Sequence, residues 1–403
     1  MARQMKESGI DWVGRIPNEW HLAQLKRFVT VNNGREILEE IDKSDDAIPV
    51  YGSGGVFKYT SSYLYDGIAV LFGRKGTLGK PIMTSGKIWV VDTMYYLTYS
   101  PKLDPKFNYF QLQCFDWVPH ITHTALPSIV ASEIVSCSFA FPPFGEQKRI
   151  ATFLEAKLAK IDTVQRNTRF SIDEYKRLKQ SIIAEAVTKG IQHNRQMKPS
   201  GVDWIGKLPA DWKVQRGKRL FVETNERSID GHEELLTVSH ITGVTPRSMK
   251  NVNMFMAESL VDYKVCHIGD LAANTMWMWQ GAIGVSKYEG VISPSYNTYR
   301  QRNNNYYYGY LEYLLRIPNL VATYAAYSTG ITASRLRLYP DQFFSIMFPV
   351  PPVSEQKEIA DYLDKKCAEI DTLISKKTAL LGELENYKKS IIFEYVTGKK
   401  EVQ

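Results

Sequence analysis

Apolar residues recur with a helical period over two long stretches of this chain. Mostly apolar positions follow one another alternately four and three residues apart, a spacing that places their side chains on one helix face. These positions are Ile150, Leu154, Lys157, Ile161, Val164, Thr168, Ser171, Tyr175, Leu178 and Ile182 in the first stretch, and Ile359, Leu363, Lys366, Ile370, Leu373, Lys377, Leu380, Leu384, Tyr387 and Ile391 in the second. The pattern predicts two helices of about 40 residues, each roughly 60 Å long.

The chain outside these helices is rich in short runs with β-strand character. Four runs combine β-branched or aromatic residues with flanking Gly, Pro, Asn or Asp: "GIAVLF" (67–72), "KIWVVDTMYYLTY" (87–99), "LAANTMWMW" (271–279) and "PSYNTYRQR" (294–302). Two further apolar runs, at 107–118 and 306–317, are typical of helices. The patterns together predict an α+β fold with two globular, β-rich domains and two long helices.

The chain also contains an internal repeat. "SGIDWVGRIPNEW" (8–20) returns as "SGVDWIGKLPADW" (200–212), displaced by 192 residues, and "PPFGEQKRIATFLEAKLAKIDTV" (142–164) returns as "PPVSEQKEIADYLDKKCAEIDTL" (351–373), displaced by 209. The insert between the two motifs is therefore 17 residues longer in the second half. Matching frames with different inserts predict a pseudo-two-fold molecule that presents two different surfaces.

The repeat divides the chain into six segments. We expect a first clasp at 1–20, an insert domain at 21–144, a spacer helix at 145–190, a linker with the second clasp at 191–212, a second insert domain at 213–353, and a second spacer helix at 354–403. A helix of this length is too long for one small core to cover. Either each helix packs only on its own insert, or the two equivalent helices pack on each other.

Composition and charge narrow the functional class only a little. Lys and Arg number 50 against 43 Asp and Glu, a net charge of +7 that suits a polyanionic partner without requiring one. The four cysteines form no C-x-x-C pair, which argues against a disulfide framework and a cysteine zinc site. The first residues contain no apolar signal region, and no run is long enough to cross a membrane. We therefore expect a cytoplasmic protein without a membrane partner.

No motif for catalysis is complete. "FGRKGTLGK" (72–80) resembles a phosphate-binding loop, but Leu78 and Pro81 stand where that loop needs Gly and Ser or Thr. "FPPF" (141–144) resembles an amino-methyltransferase motif, but Phe141 cannot accept a hydrogen bond from a target amino group. We therefore expect no catalytic residue, no metal site and no cofactor bound by this chain.

Basic and aromatic residues interleave in both inserts, a pattern that suits DNA binding. Lys and Arg can contact phosphates, while Arg, Asn and Gln can read base edges. The candidate DNA contacts are Lys58, Arg74, Lys75, Lys80, Arg247, Lys250, Gln280, Tyr296, Asn297, Arg300 and Arg335. Each of them also has an ordinary reading as solvated surface or strand packing. The segment "TMWMWQG" (275–281) is assigned mainly to the core, with Gln280 as its readout residue.

The repeated frame carries a second set of candidates. These residues dock a partner subunit or close the structure at the point where each half enters its insert: Trp12, Trp20, Trp204, Trp212, Glu146, Gln147, Glu355 and Gln356.

The frame resembles that of the specificity subunits of type I restriction-modification systems. The matching motifs are the two "DWxGxxPxxW" segments, the two "PPxxEQ" helix entries at 142–147 and 351–356, and the "KxxxID" helices through Asp162 and Asp371, so the resemblance covers nearly the whole chain. It implies two target-recognition domains that each read half of a split DNA sequence. It also implies that the two helices pair antiparallel as a coiled-coil spacer.

The resemblance also implies partners. Specificity subunits are non-catalytic and bind double-stranded DNA, two methyltransferase subunits and restriction or motor subunits. S-adenosylmethionine, ATP and Mg are then expected on those partners. The family carries its base contacts on no fixed motif, so neither the recognised sequence nor a single contact follows from the resemblance.

The main alternative is a non-catalytic coiled-coil scaffold that binds protein partners through its two inserts. The helical pattern and the repeat are compatible with both functions. A self-contained methyltransferase or nuclease fits less well, because the chain shows no cofactor loop or metal cluster.

Overall fold

The computed structural model describes residues 3–122, 125–250, 259–330 and 336–402. The chain divides into two compact units. Unit 1 comprises residues 1–169 and 378–403, and unit 2 comprises residues 170–377. The predicted division gave each long helix a segment of its own, whereas the compact units cut both helices near their middle.

Two helices are far longer than the others. The helices are α1 (Pro105–Cys114), α2 (Ala131–Ser136), α3 (Phe144–Lys189), α4 (Gly217–Leu220), α5 (Tyr308–Leu314), α6 (Pro318–Tyr327), α7 (Pro340–Ser345) and α8 (Val353–Val396). Short 3-10 turns lie at Leu25–Arg27, Val118–His120, Arg247–Met249 and Met278–Gln280. Helices α3 and α8 both follow a Pro-Pro pair, and Gly190 and Gly398 follow them with a left-handed backbone (φ +78° and +70°).

Among its described residues, unit 1 is built on antiparallel sheets with one parallel pairing, between the strands Ile48–Gly52 and Lys87–Val90. Its strands are β1 (Met5–Glu7), β2 (Arg15–Pro17), β3 (His21–Gln24), β4 (Val29–Asn33), β5 (Ile48–Gly52), β6 (Gly55–Thr60), β7 (Tyr65–Asp66), β8 (Ala69–Gly73), β9 (Ile82–Thr84), β10 (Lys87–Val90), β11 (Met94–Tyr99) and β12 (Ser138–Phe141). The sheets have the orders β4-β11-β8-β9 and β6-β5-β10-β7, and the pairs β1-β2 and β3-β12 complete the unit.

Unit 2 repeats much of this architecture. Its strands are β13 (Met197–Pro199), β14 (Lys207–Pro209), β15 (Lys213–Arg216), β16 (Phe221–Thr224), β17 (Leu236–Ser239), β18 (Gly243–Pro246), β19 (Lys264–Cys266), β20 (Leu271–Ala273), β21 (Ile283–Val285), β22 (Gly290–Ile292), β23 (Asn297–Gln301) and β24 (Met347–Val350). The four-stranded sheet β16-β23-β20-β21 matches β4-β11-β8-β9 strand for strand, and the pairs β13-β14 and β15-β24 match β1-β2 and β3-β12. The second sheet of unit 1 is matched by the pairs β17-β18 and β19-β22, because a parallel bridge between Leu235 and Val291 joins them in the order β18-β17-β22-β19.

An antiparallel pair of helix segments lies within unit 1. The first half of α3 meets the last turns of α8, where Lys388 donates a hydrogen bond to Asp162 at 2.6 Å and the rings of Phe153 and Tyr395 lie 4.6 Å apart. Ile391, Ile392 and Val396 of α8 belong to the same buried cluster as Trp20, Phe107, Phe139 and Leu154. The core of unit 1 therefore combines its insert with both long helices.

Unit 2 contains an equivalent antiparallel pair of helix segments. The second half of α3 meets the first half of α8, and Lys179 donates to Asp371 at 2.6 Å. Val187 and Leu363 lie in one buried cluster with Trp212 and Phe348, and the hydroxyl of Tyr310 donates to the carbonyl of Val187 at 2.7 Å. The lysine-aspartate pair is therefore formed twice, by residues at corresponding places in the repeat.

The helix pairing combines the two packing arrangements that the sequence left open. Each long helix packs on its own insert and also on the other long helix. The predicted helices at 107–118 and 306–317 are shorter than their apolar runs and end at Cys114 and Leu314. The predicted strand at 271–279 ends at Ala273, because Asn274 to Gln280 form a turn instead.

Candidate nucleic-acid interface

The first clasp is organised around a buried glutamate. The carboxylate of Glu146, in the first turn of α3, accepts hydrogen bonds from Arg3 at 2.8 and 3.0 Å and from the indole of Trp20 at 3.3 Å. Arg3 also pairs with Glu19, and its guanidinium lies 5.8 Å from the centre of the Trp20 ring. The hydrogen bonds to Glu146 and Glu19 raise the pKa of Arg3 against the opposing effect of burial.

The second clasp repeats this cluster with equivalent residues. Glu355 in the first turn of α8 pairs with Arg195 and accepts from the Trp212 indole at 2.9 Å. Arg195 also pairs with Asp211 at 2.6 Å and lies 5.9 Å from the Trp212 ring centre. A buried carboxylate is costly unless it is paired, and here an arginine and an indole donor satisfy it in both units.

The glutamine that follows each glutamate fixes the insert to the start of the long helix. Gln147 accepts from the backbone of Asp104 at 2.9 Å and donates to the carbonyl of Pro142 at 3.0 Å. Gln356 accepts from the backbone of Tyr307 at 2.7 Å and donates to the carbonyls of Asn305 and Pro351 at 2.8 and 2.9 Å. The "EQ" pair is thus a structural joint in both halves.

The repeated frame had two predicted roles, docking of a partner subunit and closure of the structure. The positions of its residues favour closure of the structure. Six of the eight candidates are buried within their own unit and have internal partners, so their side chains cannot dock another subunit: Trp20, Trp212, Glu146, Gln147, Glu355 and Gln356. Trp12 is half-buried and packs edge-on against Phe115 and Phe139. Trp204 is half-buried and lines an open groove of about 750 Å³ beside α6.

Sequence reasoning missed the two arginines of the clasps. The signal was present, because "RQMKESG" (3–9) returns as "RQMKPSG" (195–201) with the same displacement as the tryptophan motif. A longer comparison of the two halves identifies Arg3 and Arg195 as part of the repeat.

One loop of unit 1 gathers three of the candidate cations. Loop 1, residues 74–81, connects β8 to β9 and exposes the side chains of Arg74, Lys75 and Lys80, which form no ion pair with the described residues. Its backbone is fixed, since the amides of Arg74 and Lys75 donate to the carbonyl of Thr93 at 2.8 and 3.2 Å. Free cations on a fixed backbone suit phosphate or guanine contacts.

The equivalent loop of unit 2 has a different chemistry. Loop 2, residues 274–282, connects β20 to β21 and carries Met276, Trp277, Trp279 and Gln280. Loop 1 lies against the segment before α2, where Ile129 donates its amide to the Arg74 carbonyl at 3.0 Å, and loop 2 lies against the segment before α7, where Leu338 donates to the Thr275 carbonyl at 3.4 Å. The same structural position is therefore cationic in unit 1 and apolar in unit 2.

Trp277 corrects the assignment of "TMWMWQG" to the core. Its side chain is 48% exposed, while Met278 of the same segment is buried. A turn ending in Gly281, with φ +86°, reverses the chain here, so that alternate residues no longer point into the core. Gln280 is half-buried, and its backbone closes the turn through a hydrogen bond to Trp277 at 3.0 Å.

Four other DNA candidates have internal partners instead. Lys58 pairs with Glu40 at 2.5 Å. Arg300 forms a two-pronged pair with the buried Asp270 at 2.8 Å, which raises the arginine pKa.

Two of these four candidates are framework residues. Asn297 is buried between Lys264 and Tyr299, and the hydroxyl of Tyr296 accepts from the Asn274 amide at 2.8 Å. Their place among interleaved basic and aromatic residues suggested a DNA surface because the sequence does not show which side chains have internal partners.

The remaining candidates are less defined. Arg247 begins a 3-10 turn and Lys250 follows it; both are half-buried, and burial lowers the pKa of Lys250. Arg335 lies outside the described residues.

The described residues show no other constellation that would suggest chemistry. No group of three or more His, Cys, Asp or Glu among them could hold a metal ion. The four cysteines are free, and burial raises the pKa of Cys114 and Cys266 to about 12. No described helix is long and apolar enough to cross a membrane.

Comparisons with known proteins agree on one family. A family model for the type I restriction modification DNA specificity domain matches residues 17–169. The chain is 23% identical to the putative type I restriction enzyme MjaX specificity subunit of Methanocaldococcus jannaschii, over 97% of this chain and 96% of the relative.

Two solved structures share the fold. A chain from a type I R-M system, solved to explain complex assembly and conformational transition, superposes with a TM-score of 0.70 at 15% identity and covers 96% of this chain and 99% of its own. The HsdS subunit from Thermoanaerobacter tengcongensis superposes with a TM-score of 0.54 at 15% identity, covering 98% and 100%. At such low identity the two likenesses establish the architecture alone.

Proposed function

We propose that the chain is a specificity subunit of a type I restriction-modification system, a non-catalytic protein that recognises DNA sequence, and that it reads a bipartite, asymmetric DNA site with one half-site for each unit. The observation that carries this proposal is the pair of equivalent loops. Loop 1 and loop 2 occupy the same position in matching sheets but present different side chains. Two readers of different chemistry suit a site whose halves differ in sequence.

The mechanism separates affinity from specificity. The free cations of loop 1 supply the sequence-independent attraction to phosphates, and base-edge contacts from both loops supply the sequence preference. The clasps with Glu146 and Glu355 hold each insert on the long helices, so that the reading loops have a fixed base. The antiparallel helix segments would then set the unread gap between the two half-sites.

The partners of this chain are part of the same proposal. The repeated frame suits two identical methyltransferase subunits, and restriction or motor subunits would join the full complex. S-adenosylmethionine, ATP and Mg would be bound by these partners, which carry out methyl transfer and cleavage. This chain would contribute selection of the site and the spacing between its halves.

Methylation mapping tests the proposal. Cells that express this chain with its methyltransferase partner should carry methylated adenines in a motif of two short half-sites around an unread gap. Replacing residues 213–349 with the corresponding insert of another specificity subunit should change one half-site and leave the other and the gap intact.

Exchange of residues 21–140 is the matched control, since it should change the opposite half-site. A continuous motif, or a change in both half-sites after one exchange, would contradict reading by separate units. Absence of any sequence preference would favour the scaffold function.

A further inference from the structure

Loop 2 exposes an apolar tip that carries the one exposed tryptophan among the described residues. Trp277 is 48% exposed and Met276 is 37% exposed, whereas the other seven tryptophans are buried or half-buried. Exposing a tryptophan to water is unfavourable, and such a residue on a protein surface often marks a binding contact.

The tip is held in one shape by hydrogen bonds. The indole of Trp279 donates to the carbonyl of Met276 at 3.0 Å, and its ring stacks on Trp277 with an angle of 16° between the planes. The amide of Met276 donates to the side chain of Asn274 at 3.2 Å. A rigid aromatic surface loses little conformational entropy on binding.

The chemistry of the tip selects among base pairs. Residues 274–282 contain no charged side chain, and the amide of Asn274 is already bound to Tyr296. What remains is an apolar surface from Met276 and Trp277, with the half-buried Gln280 as the uncharged polar residue three positions after Trp277. In the major groove, the thymine 5-methyl group accepts apolar contact, and the N6 and N7 atoms of adenine pair with an amide.

Guanine and phosphate suit this tip poorly. Both are contacted best by Arg or Lys, and these residues stand in loop 1 instead. The exposed Arg337, which precedes the Leu338 that is bound to Thr275, places one cation near the loop for the DNA backbone.

We propose that the tip of loop 2 reads an A·T base pair in the major groove, with Trp277 and Met276 packed on the thymine methyl group and Gln280 facing adenine. The proposal rests on the function proposed above and assigns a base class to the half-site of unit 2. It makes Trp277 a specificity-determining residue.

Removing the thymine methyl group tests the contact directly. The test uses the complex of this chain with its methyltransferase subunits and a duplex carrying the mapped site. Each thymidine in the half-site of unit 2 is replaced in turn by deoxyuridine. We expect one replacement to weaken binding about fourfold, the effect of losing one buried methyl group.

The same replacement in the Trp277→Ala complex should have no effect, because the surface that the methyl group contacts is gone. Trp277→Phe should retain part of the deoxyuridine effect. Tyr308→Ala, which removes an exposed aromatic of unit 2 outside the loop, should retain all of it.

Three outcomes would overturn the inference while leaving the proposed function intact. These are a half-site for unit 2 without an A·T pair, no effect of deoxyuridine at any position, and an unchanged effect in Trp277→Ala. If Trp277→Ala instead prevents assembly with the methyltransferase in the absence of DNA, the tip contacts that protein and not a base. A methylation map without two half-sites would refute the proposed function itself.

Discussion

Two candidate lysines of unit 1 differ in their availability to DNA. Lys75 in loop 1 is exposed and forms no ion pair with the described residues, whereas Lys58 on β6 is held by Glu40 at 2.5 Å. A lysine that neutralises a phosphate releases a counterion, and a lysine already neutralised by a carboxylate contributes less.

Lys75→Ala should weaken DNA binding for all sequences and lower the slope of log K against log salt by about one unit. Filter binding or fluorescence anisotropy of the assembled complex over a range of salt concentrations measures this slope. Lys58→Ala is the matched control and should change the slope less. Equal slopes for wild type and Lys75→Ala would show that Lys75 is ordinary surface.

His267 provides a pH-dependent contribution to the stability of unit 2. Its two ring nitrogens lie 2.9 Å from Glu226 and 2.8 Å from Glu289. The hydrogen bond to Glu226, supported by Glu289, raises the histidine pKa above its ordinary value of 6.5. The folded state therefore favours the imidazolium form, which can donate to both carboxylates.

A raised pKa stabilises the folded state below the unfolded pKa, and this stabilisation is lost as pH rises through the folded pKa. The melting temperature of His267→Gln should fall furthest below wild type near pH 6, and the difference should shrink as pH rises toward 8.5. His240→Gln, at an exposed histidine of the same unit, should show no such trend. A difference that does not change with pH would contradict this role.

At the residue scale, sequence reasoning identified residue types better than their surroundings. Arg74, Lys75 and Lys80 share one exposed loop, as local charge suggested, because a Gly-rich turn cannot bury three cations. Arg300 and Asn297 lie on a strand whose partners, Asp270 and Lys264, are about 30 residues away in the chain. No local pattern reveals such pairing.

The same distinction applies to the secondary-structure elements. Local sequence patterns predict some of them, and contacts with distant parts of the chain determine the others. The period of α3 and α8 predicted two long helices because the seam repeats over many turns. The short strands, such as β20 and β21, have only three residues each, and their ends depend on hydrogen bonds to neighbouring strands.

The two Lys-Asp pairs define where the helices can be lengthened. Lys388–Asp162 belongs to unit 1 and Lys179–Asp371 to unit 2, so seven residues inserted after Arg169 and after Lys377 would leave each pair intact. One heptad adds about 10 Å with little net rotation, which corresponds to about three base pairs. The methylated motif should keep both half-sites and gain a gap about three base pairs longer.

An insertion into α3 alone is the control, because it should disrupt the pairing and abolish methylation. An unchanged gap after the double insertion would refute the role of the helices as a spacer.

At the scale of the whole molecule, the two units differ in how the chain supplies them. Unit 2 is one continuous segment, whereas unit 1 needs the last turns of α8. Ile391 and Val396 are 4% and 1% exposed within the core of unit 1.

Ile391→Ala should therefore destabilise the unit at the opposite end of the sequence, at a cost of about 2–5 kcal/mol. Hydrogen exchange should accelerate in residues 3–20 and 105–141 while residues 197–250 keep their protection. Leu380→Ala, an exposed position of the same helix, should leave both regions unchanged. Faster exchange in unit 2 alone would contradict this packing.

The contribution of α8 to unit 1 also fixes an order of events during synthesis. Residues 1–169 leave the ribosome first, but their core is incomplete until Ile391, Ile392 and Val396 follow. At about 5–20 residues per second, that delay lasts roughly 10 to 45 seconds. Unit 2, whose residues are contiguous, can complete its core within that interval. The part of the protein that is translated first is therefore the last to finish folding. Until then, the apolar faces of its core need protection by chaperones.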